Sequence, residues 1–99
     1  MPNNQELIWE PGALEDLVRL REFIMPHHQK AAMNAARCII EAANRLLDFP
    51  YLGHPMEDIP EFNELMIPFG SNGYVLRYRL DGEKIVILRV WHTREDRSL

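Results

Sequence analysis

Cysteine, long apolar runs, metal-ligand spacings and positive charge are all scarce in this 99-residue chain. Each scarcity excludes something. Cys38 is the sole cysteine, so no internal disulfide can form. Beside Ile39 and Ile40 it reads as a small buried hydrophobe. No apolar run approaches the roughly 20 residues that span a bilayer, so no membrane partner is expected. The segment Met1 to Glu6 lacks the basic and apolar regions of a secretory signal, which points to a cytoplasmic location. His27 and His28 adjoin while His54 and His92 stand alone, so neither a metal nor a cofactor is expected. No Ser/His/Asp or Cys/His arrangement and no phosphate loop is present. The net charge is −4. Phosphate-tracking proteins carry a strong basic footprint, so strong direct nucleic-acid binding is disfavoured.

What is present suits one soluble domain spanning residues 1–99, with 46% hydrophobic and 26% charged residues. Residues 6–10 read as a short strand, and Pro11 fits the first turn of a helix, where its missing N–H costs nothing. Leu14, Leu17, Val18, Arg21 and Ile24 follow helical spacing, with Asp16, Arg19 and Glu22 facing water. Pro26 stops that helix. A second helix is expected from about His28 to Asp48, with Ala32, Ala36, Ile39, Ala43 and Leu46 as its apolar stripe. Phe49 to Pro55 is a turn-rich connector. Glu64 to Ile67 reads as a strand broken by Pro68, and two further strands flank Asp81-Gly82, a dipeptide suited to a tight hairpin turn. The expected fold is α+β, in the order β-α-α-β-β-β, with an antiparallel sheet packed against an N-terminal helical hairpin.

Residues 74–99 hold six Arg or Lys against four acids, a local excess of positive charge. A two-residue turn at Asp81-Gly82 would place Leu80 opposite Glu83, Tyr78 opposite Ile85 and Leu76 opposite Ile87. Strand alternation then puts Tyr74, Leu76, Tyr78, Leu80, Ile85, Ile87, Arg89 and Trp91 on one face. Arg77, Arg79, Lys84 and His92 share the other, a surface suited to an anionic partner. Arg79 and Lys84, near the turn, read as an ordinary solvated face, whereas both readings stay open for Arg77 and His92. Arg89, on the apolar face, needs a carboxylate such as Glu15 or Asp16. Arg94 and Arg97, beside Glu95 and Asp96, read as exposed. Trp9 and Trp91 read as core anchors.

Over nearly its whole length the chain resembles the ParE/RelE superfamily, the toxins of bacterial type II toxin–antitoxin pairs, and within it the ParE branch. The resemblance rests on WEPGALEDLVRLREFI, on AARCIIEAANRLLDFPYLGHP with Gly53 in its connector, on NELMIP, and on YVLRYRLDGEKIVILRVWHTRED. It implies the same α+β fold, a cognate antitoxin as partner and a hetero-oligomer with it. RelE-like members cleave mRNA on the ribosome, and ParE-like members poison DNA gyrase. Nucleases of this kind need cationic side chains to stabilise charge and a base to activate the 2′-OH. In the RelE pattern an Arg stands where this chain has Val75, and lysines stand in the strand holding Glu64, Leu65 and Met66. Arg94 matches a basic residue after the last strand, but the sequence stops at Leu99 without the C-terminal Tyr. These departures favour DNA gyrase as target, without chemistry of the toxin's own. The alternatives are a ribosome-dependent RNase using Arg77, His92 and Arg94, and a non-toxic interaction module. Arg77, Arg79, His92, Arg94 and Arg97 are the expected contacts, with Leu20 and Phe23 of the first helix offered to the antitoxin. Trp9, Gly53, Arg89 and Trp91 are expected to be structural.

Overall fold

The computed structural model describes residues 5–24 and 29–95, with side chains described through Glu22 and from Lys30. Strand β1 (Glu6–Trp9) leads into helix α1 (Pro11–Ile24). Pro11 occupies the first helical position, and the Glu10 carbonyl before it accepts from the Ala13 and Leu14 amides. Helix α2 (Gln29–Arg45) follows. It ends three residues before the expected Asp48, because the amides of Leu46, Leu47 and Asp48 bond three residues back and tighten the last turn. The expected helix stop at Pro26 and the His27-His28 pair lie outside the described residues.

Strands β2 (His54–Pro55), β3 (Phe62–Phe69), β4 (Asn72–Asp81) and β5 (Lys84–His92) complete a five-stranded sheet in the order β1-β5-β4-β3-β2. The order of the long elements is the expected one; β2 is an addition inside the connector. The sheet is mixed, since β1 runs parallel to β5 while the other pairs are antiparallel. Local turn signals fix the directions of consecutive strands. The direction of β1 depends on pairing with the far end of the chain, which those signals do not reach. Strand β3 also runs through Pro68 instead of breaking there. Strand β2 covers only Asn63 and Glu64, so at Pro68 one side of β3 is an open edge, where a missing N–H is tolerated.

The β4–β5 register corrects the expected one. Asp81 pairs with Lys84, so the turn residues are Gly82 and Glu83, with Gly82 at φ +61°. Glycine with positive φ first and a negative-φ residue second is the type II′ pattern that matches strand twist. A bulge between Arg77 and Tyr78 then shifts the register again, placing Leu76 opposite Val90 and Tyr74 opposite His92. Because side chains alternate, this one extra residue sends Val90 to the core face and Arg89 and Trp91 to the opposite one. No hydropathy pattern marks such a shift.

Both helices cover one face of the sheet. Ala13 and Leu20 of α1 and Ala35, Ile39, Ala42 and Leu46 of α2 pack on Leu76, Tyr78, Ile85, Ile87 and Val90. The stripe expected of α2 holds in outline. That of α1 is rotated: Ala13, Asp16 and Leu20 point inward, whereas Leu14 and Val18 are more than half exposed. Leu20, at 2% exposure, is therefore a core residue and not the antitoxin contact expected of it. Phe23 lies in α1, but its side chain is outside the described residues. Replacing Val18 with Ser should change unfolding free energy by less than about 0.5 kcal/mol, as for any open surface site. Urea titration of the two proteins checks this.

Candidate functional site

The residues offered for phosphate chemistry do not come together. Arg77 projects from β4 on the face away from the helices, directly across from Glu64 of β3. Its Nε and Nη2 donate to Glu64 Oε2 at 3.1 and 2.9 Å. Its guanidinium carbon lies 4.7 Å from the centroid of the Trp91 ring, against which Arg89 also stands at 5.1 Å. Such contacts each contribute about 0.5–1 kcal/mol or more when desolvated. Arg77 is only 6% exposed. It is thus a paired, stacked structural cation, and Trp91 between two arginines is closed to a nucleobase.

His92 is on the other face, corrected from the surface shared with Arg77 by the bulge. Its ring meets Tyr74 edge-on with centroids 5.3 Å apart. Its Nδ1 accepts the Arg94 amide at 3.1 Å, which leaves the proton of a neutral ring on Nε2. Arg94 itself is exposed and donates from Nε to Asn72 Oδ1 at the β3–β4 turn. Arg79 is half-buried and lies 3.9 Å from Asp81, a loose pair of small energetic value. Arg97 lies outside the described residues. Among the described residues no group of three or more His, Cys, Asp or Glu converges as metal ligands.

A different cluster is centred on Asp16, which helical periodicity places toward water together with Arg19. Strand β1 follows β5 only as far as Ile87, where Glu10 N donates to Ile87 O. Beyond that point the β5 edge is closed by side chains. Asp16 Oδ2 accepts from Val90 N at 2.8 Å, Arg19 Nη2 donates to Val90 O at 2.9 Å, and Glu95 Oε1 accepts from His92 N at 2.9 Å. Arg19 bridges Glu95 and Asp16, and Arg89 grips Asp16 through Nε at 2.7 Å and Nη2 at 3.1 Å. The expected ion pair of Arg89 with a helix acid is therefore present, through Asp16, although Arg89 is half-exposed and off the apolar face. Burial alone would raise the Asp16 carboxyl. The hydrogen bonds from Arg89, Val90 N and Arg19 outweigh it and hold the group below its usual value. The same carboxylate raises Arg89. An unpaired strand edge invites association with another chain, and this network covers it.

The exposed apolar surfaces among the described residues include two with hollows beside them. On the helical hairpin, Met33, Ala36 and Ile40 line a groove of about 440 Å³ with Arg21 and Arg37 at its sides. At the other, Phe49, Tyr51 and Leu52 stand out from the connector. Trp9 is half-buried against the core, as expected of an anchor. Gly53 is buried where the connector meets β3 and β4.

Comparison with known proteins gives these features a family. Residues 7–97 match the family described as the ParE toxin of the type II toxin-antitoxin system, parDE. Toxin RelE3 of Caulobacter vibrioides is 34% identical over 87 residues, covering 88% of this chain and 92% of that protein. Toxin RelE1 of the same organism is 33% identical over 85 residues, covering 86% and 89%. Among solved structures, the chromosomal ParDE system from P. aeruginosa superposes with a TM-score of 0.76 at 22% identity, covering 92% of this chain and 98% of that one. The toxin–antitoxin complex RelBE2 from Mycobacterium tuberculosis gives 0.63 at 26% identity, covering 89% and 96%. The two helices on a mixed sheet are thus the fold of type II toxins. The chain belongs to the ParE toxin family, within the ParE/RelE superfamily.

Proposed function

We propose that this toxin arrests growth by binding DNA gyrase, and that it does so without cleaving RNA. The observation that carries this reading is the state of Arg77. The cation nearest the middle of the sheet is paired with Glu64, stacked on Trp91 and nearly buried, so it is not presented to a phosphate. Glu64, Leu65 and Met66 stand in β3, the strand that holds lysines in the nuclease pattern, and His92 sits across the sheet from Arg77. An RNase would need these groups converged around a scissile phosphate.

A cognate antitoxin is the natural neutralising partner, as in the ParDE and RelBE2 assemblies. The groove along α2 suits an apolar segment carrying acidic residues, because Arg21 and Arg37 flank Met33 and Ile40. The RelE names of two relatives favour a second reading, ribosome-dependent mRNA cleavage. Growth arrest by His92→Ala and Arg94→Ala variants separates the two. Binding predicts arrest equal to the parent with intact transcripts; an interferase predicts that arrest and transcript cleavage are lost together.

A further inference from the structure

The connector between α2 and β3 is held rigidly yet displays its largest side chains to solvent. Tyr78 Oη, buried at the sheet, accepts the Gly53 amide at 2.9 Å and donates to the Pro50 carbonyl at 2.9 Å. Leu52 N closes a turn onto Phe49 O. On this clamped segment Tyr51 is 82% exposed and Phe49 62%. Ordinary folding would turn aromatic side chains of that size inward, since burying each contributes about 1.5–3 kcal/mol. The patch is also extended. A hollow of about 410 Å³ is lined by Asp48 to Leu52, and a second of about 350 Å³, lined also by Arg45 and Glu64, joins Leu52 to His54 and Met66. Rigid aromatic anchors on a preorganised loop are the usual energetic centres of protein interfaces.

Charge selects the occupant. Between residues 46 and 73 the sequence has no Lys or Arg. Asp48 lines the first hollow, and Glu57, Asp58 and Glu61 follow in the same connector; all four are exposed, and among the described residues they enter no ion pair. We infer that this connector ridge grips the toxin's target, through a protein segment that presents apolar side chains flanked by Lys or Arg. Nucleic acid is repelled by the carboxylates. A second copy would bring two acidic rims together. The hairpin groove, with Arg21 and Arg37 at its sides, has the opposite polarity and so takes a different partner. The inference rests on the binding-toxin reading above and names the surface that reading requires.

Two full-length variants test it, Phe49→Ser/Tyr51→Ser and Glu57→Lys/Asp58→Lys. Circular dichroism and thermal melting report folding. Affinity for the cognate antitoxin, growth arrest on induction and binding to purified DNA gyrase report function. The expected result is native folding and unchanged antitoxin affinity, with arrest and gyrase binding weakened about tenfold or more. Full arrest by both folded variants would overturn the ridge. So would a parallel loss of antitoxin affinity, or a parent dimer that either variant dissolves. The target is tested separately. Parent toxin that arrests growth without binding gyrase, while the variants do not arrest, removes gyrase and keeps the ridge. Equal gyrase binding by parent and variants keeps gyrase and removes the ridge.

Discussion

Replacing Asp16 with Ala should lower unfolding free energy by about 3 kcal/mol, a large share of the stability of a domain this size. The carboxylate is 3% exposed and satisfies three donors at once: Val90 N, Arg89 and Arg19. Removing it strands a strand amide with no ladder partner and leaves two guanidinium groups beside one another. A lost buried acceptor costs about 1–3 kcal/mol on its own. Asp16→Asn keeps an oxygen for Val90 and should cost about half as much. Because β1 ends before this part of β5, the variant should also show faster amide exchange at Val90 than the parent.

The same residue gives the chain an acid-sensitive step. The folded Asp16 carboxyl titrates below its usual 3.8, so the unfolded state binds its proton more readily than the folded state. Its contribution is complete above the unfolded value and is lost as pH falls through the folded one. Parent stability should therefore drop below about pH 4 by more than that of Asp16→Ala, and the two curves should converge in acid. Urea midpoints measured from pH 6 to pH 2 check this.

Gly53→Ala should cost roughly 2–3 kcal/mol, the range of overpacked sites that cannot relax. A Cβ there would sit 2.7 Å from the Glu64 carbonyl oxygen and 2.8 Å from Cε1 and Oη of Tyr78. The first neighbour is backbone of β3, and the second is the ring whose hydroxyl clamps the connector. Relief requires the connector to lift, breaking the hydrogen bonds to Gly53 N and Pro50 O. Growth arrest should weaken along with stability, because Phe49 and Tyr51 would lose their fixed positions. A folded Gly53→Ala protein with parental stability would contradict this packing.

Sequence patterns reached some of these features and missed others for identifiable reasons. The stripe of α2 was legible because small apolar residues recur at helical spacing over its whole length. That of α1 was misread: Leu14 and Val18 fit the periodicity, while Asp16, a charged residue, is the one drawn inward by Arg89 and the Val90 amide. The β4–β5 bulge is set by packing over both faces, and without it Arg89, Trp91 and His92 fall on the wrong sides of the sheet. Arg77 was expected as a contact for an anionic partner and is instead buried and paired. Its partner Glu64 lies 13 residues earlier, and only the β3–β4 register brings the two together. Gly53 was named as structural through the connector that carries the resemblance, but the close approach of Tyr78 that demands it was not visible.

The most direct test of the account is supercoiling by purified DNA gyrase at rising concentrations of the free toxin. A protein-binding toxin whose central sheet cation, Arg77, is already paired should abolish supercoiling and accumulate cleaved DNA, and the antitoxin should restore activity. Undiminished supercoiling at large molar excess of a toxin that still arrests growth would contradict the proposed target.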